Sequence, residues 1–365
     1  MEDALPEEWT ILREWLPADL DGLARKHGFM QRARGVQKAE VWLRLILMHV
    51  GGGLSLEQTV MRAREFGLAN VSAVALFKRL RRAGGWLQSL TEELIANRDV
   101  GEKTQEEWMR KVVVVDATDV QEPGTSGSDW RVHYRVRLSD LRCDHYEITD
   151  IHEGERLARF KFKTDQIVLA DRGYCHRAGA AHVLNAKAHL VVRLQNRVFP
   201  LQDKNGRPID LLAWARTLTT RRSEERSAWF VHEGVVYPIR LCGIRKSRSA
   251  TLWTQKRQRR KAVLAQQSLR PEAIELGGYL FVLSSLPADE WPTQKVLNLY
   301  RYRWQIELVF KRLKSLLGLG HVPKTDDASA SAWMQAKILT ALLIERALHQ
   351  ARFFSPWGFP LPSPR

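Results

Sequence analysis

Two short apolar runs, each followed at once by an aspartate, most constrain the fold of this 365-residue chain. In "KVVVVDAT" the run of valines ends at Asp116, and in "DQIVLADRGY" a similar run ends at Asp171. Runs of β-branched and apolar residues are typical of strands buried on both faces of a sheet. Open α/β sheets bind their ligands outside the carboxyl ends of their strands. The two aspartates are therefore candidates for one site.

The segments around these runs predict an α/β domain with a mixed sheet. The alternating "DWRVHYRVRL" is typical of a half-exposed strand, "HYEITDI" is predicted as a third strand, and "AHLVVRL" as the last. A helical "HRAGAAHVLNAK" lies between the strand that ends at Asp171 and the last strand.

The part of the chain before these strands, up to about Asn97, has a helical pattern, with apolar residues three and four apart. Ser72 is a predicted N-cap for a short basic helix. This helix is a candidate for helix-turn-helix-like contact with DNA, and a solvated basic helix in a packing domain is the alternative. Its basic residues are Lys78, Arg79, Arg81 and Arg82.

The charge balance indicates an anionic partner. The chain has 57 Lys and Arg against 41 Asp and Glu, a formal net charge of +16. Such a surface attracts polyanions, most often nucleic acid, although a merely soluble basic protein remains the alternative. The three cysteines form no CxxC pair and are predicted to be reduced thiols. The sequence contains neither a secretory signal nor a membrane-spanning stretch, so we expect a cytoplasmic protein with no membrane partner.

A basic region follows the last predicted strand, from about Gln195 to Glu275. It contains short strand-like pieces, and its part from Gly234 to Pro271 has no Asp or Glu at all. Trp253 lies among the basic residues there. A run this one-sided can neutralise phosphates in series, and a solvated basic loop without a partner is the alternative.

A second candidate site feature is "LYRYRWQIELVFKRLKSLLGLG", which is predicted to be one long helix. At roughly 100° per residue, four of its side chains lie within about 60° of one another. They are Tyr300, Arg303, Glu307 and Lys314. A carboxylate flanked by a phenol, a guanidinium and an ammonium suits a phosphodiester held beside a divalent cation.

The three carboxylates have a joint interpretation. If the helix packs against the sheet edge, Asp116, Asp171 and Glu307 supply the oxygen ligands that a pair of Mg²⁺ ions needs. Each residue also has a simpler interpretation, because the aspartates are possible helix or turn caps and Glu307 can pair with Lys311. Asp119 is a rival for the first position, although Asp116 directly ends the apolar run.

Histidines offer a weaker metal hypothesis. His133, His145 and His152 lie close in sequence, but their spacing is not that of zinc ligands. A zinc site is therefore not expected there.

The spacing Y-(2)-R-(3)-E-(6)-K, formed by Tyr300, Arg303, Glu307 and Lys314, resembles the signature of bacterial transposases of the insertion-sequence-four family. The resemblance extends to "VVVVDAT" and "VLADRGY" and covers roughly residues 111 to 320. It implies a DDE recombinase with an RNase H-like core in which Asp116, Asp171 and Glu307 form the catalytic, metal-binding triad. It also implies Mg²⁺ as the cofactor, with two ions bound and Mn²⁺ as a substitute.

The resemblance implies further roles in DNA binding. Tyr300, Arg303 and Lys314 would position phosphates, and Arg193 stands where relatives often have a phosphate-contacting arginine. The basic region matches the place of a mostly β insertion, in which a tryptophan can stack on a flipped base. Trp253 is the candidate for that role by its basic neighbourhood, and the competing tryptophans are Trp214, Trp229 and Trp291.

Together these observations predict an α/β protein whose RNase H-like core is interrupted by the mostly β insertion and preceded by an all-α domain. The predicted divisions are a helical DNA-binding domain (1–100), the first part of the core (101–194), the basic insertion (195–276), the second part of the core (277–325) and a carboxyl-terminal helix and tail (326–365).

The predicted function is a DNA transposase, nucleoid-associated in a bacterial cytoplasm. It would bind the terminal inverted repeats of an insertion sequence and cut and join double-stranded DNA, at element ends and target, as a homodimer in a synaptic complex. A non-catalytic DNA-binding relative and a structure-specific nuclease on the same core are the alternatives.

Overall fold

A computed structural model of the chain describes residues 6–31, 36–97, 107–125, 127–323 and 326–351. Before the sheet, the helices are α1 (Pro6–Glu14), α2 (Leu20–Lys26), α3 (Ala39–Ile46), α4 (Leu56–Glu65), α5 (Ala73–Leu80), α6 (Gly84–Ala96) and α7 (Glu107–Lys111). The later helices are α8 (Arg177–Asn185), α9 (Leu211–Thr217), α10 (Arg248–Leu264), α11 (Pro271–Leu276), α12 (Thr293–Arg301), α13 (Gln305–Ser315) and α14 (Asp327–Ala351).

One mixed sheet runs through the protein, with strands in the order β3-β2-β1-β4-β5-β8-β7-β6. Strands β1, β4 and β5 are parallel, and every other neighbouring pair is antiparallel. This order confirms the predicted RNase H-like core with a mixed sheet. The strands are β1 (Val112–Val120), β2 (Trp130–Arg137), β3 (Cys143–Asp150), β4 (Ile167–Ala170), β5 (His189–Arg193), β6 (Glu224–His232), β7 (Val235–Arg245) and β8 (Tyr279–Ser284).

The sheet separates two hydrophobic cores because successive side chains of a strand point to opposite faces. In β1, Val112 and Val114 face a large core that includes the amino-terminal helices and α12 to α14. Val113 and Val115 face a second core with α8 and α9. This burial on both faces explains the continuous apolar sequence of β1.

The described residues of the amino-terminal region, 6–31 and 36–97, form helices and connecting turns without a strand, as predicted. Ser55 forms a capping box with Gln58 at the start of α4, and Ser72 caps α5 by accepting a hydrogen bond from the Ala75 amide at 3.2 Å. Helix α6 then packs along α14, whose buried side chains include Trp333 and Leu339. The carboxyl-terminal helix is thus part of the same core as the first helices.

The basic region contains two long strands and three helices. Strands β6 and β7 join the sheet of the core, because β7 pairs with β8. The most basic part of the sequence, which carries no strand pattern, folds as the 17-residue helix α10 after its N-cap Ser247. The insertion therefore extends the core sheet and adds a helix beside it.

The prediction of one long helix from Leu299 to Gly320 is wrong about its continuity. A 3₁₀ turn, Tyr302–Trp304, separates α12 from α13, and α13 ends at Ser315. Periodicity does not distinguish a single 3₁₀ turn from continuous α-helix, because apolar residues three apart fit both. Of the four predicted side chains, Tyr300 is buried, whereas Glu307 and Lys314 are exposed.

Within the described part of the chain, no helix combines the length and apolar character that crossing a membrane requires. Cys143, Cys175 and Cys242 are all buried free thiols, as predicted.

Candidate active site

Asp116 and Asp171 lie side by side where the parallel pairing of β1 with β4 ends, although Asp116 stands in the middle of β1 and not at its carboxyl end as predicted. Val115 of β1 pairs with Ala170 of β4, so the next residue of each strand stands at the same level. Neighbouring strands lie about 4.8 Å apart, and residues at one level point to the same face. Both aspartates share the face of Val114 and therefore point toward the core that contains α12 and α13.

Arg193 continues this row on the third parallel strand. Ala170 pairs with Val192 of β5, which places Arg193 at the level of Asp171. The guanidinium of Arg193 acts electrostatically on the hydroxyl of Tyr300, a buried residue at the end of α12. The sheet register thus aligns two predicted catalytic acids with a predicted DNA-binding cation.

Asp116 lies in a poorly solvated position. The pKa of its carboxyl is raised from 3.8 to about 7, chiefly by burial and also by the negative charges of Asp171 and Glu155. The Ala117 amide, which donates to Asp116 Oδ1 at 2.9 Å, and the Arg303 guanidinium lower it. A nearby positive charge favours the ionised form of a carboxyl in such a place.

Arg303 joins the sheet edge to the glutamate on α13. Its Nη1 donates to Asp116 Oδ2 at 3.3 Å, and its Nη2 donates to Glu307 Oε1 at 2.5 Å. The Asp116 side chain is 14% exposed and that of Glu307 is 57% exposed. The site is thus closed at the sheet and open to solvent at the helix, where a large substrate can approach.

The three acids are not gathered tightly enough to form a finished metal site. Among the described residues, no group of three or more His, Cys, Asp and Glu side chains has the geometry to hold a metal ion. The Arg303 guanidinium lies between Asp116 and Glu307 and donates a hydrogen bond to each.

Asp119, the alternative to Asp116 as the first acidic residue, does not point toward the candidate site. Asp119 is an odd number of residues from Asp116, so it projects from the opposite face of β1. Its Oδ1 accepts a hydrogen bond from Arg131 Nε at 3.0 Å. Asp119 therefore has a partner away from Arg303 and Glu307.

The remaining predicted DNA-binding residues differ in exposure. Tyr300 is buried, and that burial raises the pKa of its hydroxyl to about 12, so it is a neutral hydrogen-bonding group. Lys314 is exposed on α13, two turns beyond Glu307. Trp253 is 64% exposed on α10, with the Arg257 guanidinium carbon 5.5 Å from its ring centroid.

The competing tryptophans are less accessible than Trp253. Trp291 is buried, and Trp214 and Trp229 are partly buried. Trp214 packs its ring 5.7 Å from that of Phe281, measured between centroids. Exposure therefore favours Trp253 as a stacking residue.

Two of the four basic residues on and just after helix α5 contact other parts of the protein. Arg79 Nη1 donates to the Phe29 carbonyl oxygen at 2.7 Å, and its guanidinium lies over the ring of Trp42. Arg81 pairs with Asp326 at 3.1 Å. Of the predicted basic cluster, Lys78 and Arg82 are the exposed members left to meet DNA.

A fourth carboxylate near the site was missed by sequence reasoning. Glu155, in the loop after β3, lies against Gly173, two residues beyond Asp171, and a Cβ built on Gly173 would come 1.7 Å from Glu155 Oε2. Its negative charge acts on both Asp116 and Tyr174. The available signal was the glycine in "DRGY", which marks a close approach only once its neighbour is known.

An RNase H-like sheet with one aspartate within β1, a second directly after β4 and a glutamate on a helix above them is typical of the DDE class of DNA-processing proteins. The family model described as "Transposase DDE domain" matches residues 107–344. The chain belongs to this family, and the predicted resemblance to insertion-sequence transposases is confirmed.

Curated relatives match over nearly the whole chain. The putative transposase InsL for insertion sequence element IS186A of Escherichia coli (strain K12) is 32% identical over 362 residues, 96% of each chain. The transposase for insertion sequence element IS421 of Escherichia coli is 32% identical over 363 residues, again 96% of each chain.

A solved structure has a similar fold. The piggyBac transposase in its synaptic complex with hairpin DNA superposes with a TM-score of 0.50 at 10% identity, covering 96% of this chain and 76% of that one. At this identity the likeness concerns the fold alone.

Family membership confirms the predicted activity class, which is DNA cleavage and strand transfer by a DNA-binding transposase. It also implies dependence on a divalent metal ion. A non-catalytic binding protein and a nuclease without strand transfer are not favoured by these matches.

Proposed function

We propose that this chain is the transposase of a bacterial insertion sequence and that Asp116, Asp171 and Glu307 are its catalytic carboxylates. The observation that carries the proposal is the shared level of Asp116 and Asp171 on neighbouring parallel strands, with Arg303 bridging Asp116 to Glu307. In the proposed reaction, water attacks the phosphodiester at the element end and frees a 3′-hydroxyl. That hydroxyl then attacks a phosphodiester of the target DNA.

The donor set fits a hard divalent cation, since carboxylate oxygens are the ligands that Mg²⁺ and Mn²⁺ prefer. Asp116 supports this fit because burial raises the pKa of its carboxyl to about 7, and a bound cation would favour the ionised form. Asp116, Asp171 and Glu307 would hold Mg²⁺, with two ions as the proposed number. When bound, the ions activate the attacking oxygen and stabilise the leaving oxygen.

Arg303 has a proposed role in both states of the site. Without metal it neutralises Asp116 and Glu307, at distances of 3.3 and 2.5 Å. With Asp116 and Glu307 engaged by cations, the Arg303 guanidinium would be free to hold the scissile phosphate with two parallel hydrogen bonds. The Arg303 side chain would thus stabilise the carboxylates in the absence of metal and position the substrate phosphate.

Other groups would extend the DNA-binding surface beyond the three proposed catalytic carboxylates. Tyr300 offers a neutral hydroxyl to a phosphate, Arg193 a positive charge at the sheet edge, and Lys314 a positive charge on the exposed side of α13. Farther out, α10 presents Trp253 for base stacking among six Lys and Arg. This series supports binding to the element ends and target DNA at a common surface.

The amino-terminal helices would recognise the terminal repeats, with Lys78 and Arg82 as exposed contacts. A homodimer would hold the two element ends in the synaptic complex. The protein would act on nucleoid DNA in the bacterial cytoplasm.

The test uses a supercoiled plasmid that carries this gene with its flanking DNA, incubated with the purified protein and Mg²⁺ or Mn²⁺. We expect breaks at the element ends and joined products in a second plasmid. Asp171→Asn should abolish both while a gel shift at fixed salt still detects binding to the end fragments. The matched control is Asp165→Asn, which removes a carboxylate just before β4 and should cut as the unmodified protein does.

The outcomes separate the alternatives. Cutting by Asp171→Asn would overturn the assignment of the catalytic acids. Cutting without any joined product would favour a nuclease on the same fold. Binding without cutting by the unmodified protein would favour a regulatory DNA-binding protein.

A further inference from the structure

Helix α5 is the last of three amino-terminal helices, α3, α4 and α5, that pack on one another. Its inward side carries Leu76 and Leu80, which are fully buried, and Arg79, which is bonded to the Phe29 carbonyl oxygen. In the three-helix form of the helix-turn-helix motif, the third helix lies in the major groove of DNA. The packing therefore makes α5 the candidate recognition helix.

The outward side of α5 carries an apolar residue in line with cations. Val74, Lys78 and Arg82 follow one another at intervals of four residues, so they lie along one stripe of the helix and its last turn. All three are exposed, and residues 66–91 contain no Asp or Glu. The stripe is therefore complementary in charge to DNA.

Val74 stands where a recognition helix contacts base edges. It is the second residue of α5, after the N-cap Ser72 and Ala73, and it is 61% exposed. Residues near the amino end of a recognition helix meet the bases, and an apolar side chain there contacts the C5-methyl group of thymine. A single exposed valine is ordinary on a protein surface, so its place at the head of a basic stripe, and not its exposure alone, indicates this role.

Helix α5 is also joined to the catalytic part of the protein. Arg81, the C-cap of α5, pairs with Asp326, directly before α14, at 3.1 Å. Helix α14 shares the large hydrophobic core with α13, which carries Glu307. The candidate recognition helix and the proposed catalytic helix therefore pack into one unit, which would hold a recognised base pair at a fixed position relative to the active site.

We propose that Val74 is a specificity-determining residue that contacts a thymine methyl group in the terminal repeat of the element, while Lys78 and Arg82 hold neighbouring phosphates. The inference rests on the proposed function, because it concerns the DNA ends on which the transposase acts. Cations alone bind any DNA sequence, whereas a contact with a base edge adds a preference. Val74 thus gives this basic chain a means to distinguish its own ends from other DNA.

The experiment measures binding of the full chain to two labelled duplexes by fluorescence anisotropy at one fixed salt concentration. One duplex is the element end, taken from the DNA that flanks the gene, and the other has the same bases in shuffled order. Val74→Ala should weaken binding to the end duplex roughly 10-fold, because it removes two methyl groups from a buried contact, and should change binding to the shuffled duplex by less than about 2-fold.

Val236→Ala is the matched control, because Val236 is 54% exposed on β7, outside the amino-terminal helices. It should bind both duplexes as the unmodified chain does. Lys78→Gln should weaken binding to both duplexes to a similar extent, because a phosphate contact carries no sequence information. Thermal unfolding of the three variants should match that of the unmodified chain, since all three positions are exposed.

Replacing single thymines of the end duplex by uracil identifies the contacted base, because this change removes only the C5-methyl group. At one position, the replacement should weaken binding of the unmodified chain about 4-fold, the equivalent of one buried methyl group. The same replacement should have little further effect on Val74→Ala, because the valine methyl groups that contact the thymine are already absent.

Three results would overturn the role of Val74 and leave the proposed function intact, provided that the unmodified chain cuts the element ends. They are an equal loss of binding to both duplexes in Val74→Ala, a uracil effect that persists undiminished in that variant, and the lack of any uracil effect on the unmodified chain. If the unmodified chain binds the two duplexes equally and cuts neither, the proposed function itself fails.

Discussion

Two basic helices of this protein, α13 and α10, differ in what fixes them in place. Helix α13 buries four side chains in the large core, Ile306, Val309, Phe310 and Leu313. All 17 residues of α10 are described, and none of them is buried. Both helices carry several cations, but α13 also contains Glu307, whereas α10 has no acidic residue.

Under the proposed function, the two helices would contribute to DNA processing in different ways. A catalytic carboxylate has to be held in a fixed position, and the apolar face of α13 does this by packing on the sheet. A surface that only neutralises phosphates needs charge more than fixed geometry. Helix α10 is accordingly attached by polar contacts, such as Gln255 Nε2 to the Ile274 carbonyl oxygen at 3.2 Å.

The like charges of α10 strengthen this interpretation. Lys256, Arg257, Arg260 and Lys261 lie three and four residues apart, where like charges destabilise a helix by a few tenths of a kcal/mol per pair. Such repulsion is relieved when an anionic partner binds. The partner implied by the family is DNA.

The largest expected difference between the helices is in catalysis. Glu307→Gln on α13 should lower the rate of end cleavage about 1,000-fold or more, because losing a metal ligand removes several kcal/mol of transition-state stabilisation. Arg260→Gln on α10 should change the cleavage rate at saturating DNA by less than a few-fold. Single-turnover cleavage of a labelled end fragment measures both rates. Equal losses of cleavage rate in the two variants would show that the helices do not differ in catalysis.

A second difference should appear in stability. Leu313→Ala on α13, where the side chain is 3% exposed, should lower the free energy of unfolding by about 2–5 kcal/mol. The same change at Leu264 on α10, 75% exposed, should alter it by no more than about 0.5 kcal/mol. Urea denaturation of the two variants provides the comparison, and a large loss for Leu264→Ala would show that α10 packs against the protein.

Asp116, which lies beneath α13, should make the free energy of unfolding depend on pH. Burial raises the pKa of Asp116 from 3.8 to about 7, so the folded protein keeps a proton there that the unfolded chain releases. Without divalent cations, this contribution to stability is full below about pH 4 and is lost as the pH rises to about 7. Asp116→Asn removes the ionisation, so it should gain stability relative to the unmodified protein at pH 8 and show no gain at pH 4. Chemical denaturation at the two pH values tests the sign, and an advantage confined to pH 4 would contradict it.

The smallest expected effect concerns the affinity of α10 for DNA. Replacing both Arg257 and Arg260 by Gln should reduce the slope of log binding constant against log salt concentration by about 1 to 2, at about 0.9 for each phosphate that is no longer neutralised. Arg216→Gln is the control, because Arg216 Nε already pairs with Glu275 Oε1 at 2.8 Å. Filter binding measured between roughly 50 and 200 mM salt gives the slope for each variant. An unchanged slope for the double variant would show that α10 does not meet phosphates.

The sequence predicts some parts of the catalytic core and of the basic insertion better than others. The strands before Asp116 and Asp171 could be predicted, since burial on both faces leaves an unbroken apolar run. The break between α12 and α13 could not, because a single 3₁₀ turn leaves no mark in the periodicity. The helical form of α10 was also missed, since a helix without a buried face has no apolar stripe to detect.

The candidate site was predictable where it depends on residue type and spacing. Asp116, Asp171 and Glu307 stand out by sequence position, but the contact of Arg303 with two of them depends on how α13 packs over β1. Glu155 could not be found, because its approach to Gly173 joins two loops that are distant in sequence. Tertiary contacts between polar side chains have no periodic signal in a single sequence.

The central claim is that Asp116, Asp171 and Glu307 converge on bound metal once Arg303 releases them. The most direct measurement is the anomalous scattering of Mn²⁺ in crystals of the protein with a cleaved end duplex. The account predicts Mn²⁺ bonded to carboxylate oxygens of all three residues, with Arg303 turned away from Asp116 and toward a DNA phosphate. Mn²⁺ bound elsewhere, or Arg303 still bridging Asp116 and Glu307 in that complex, would contradict it.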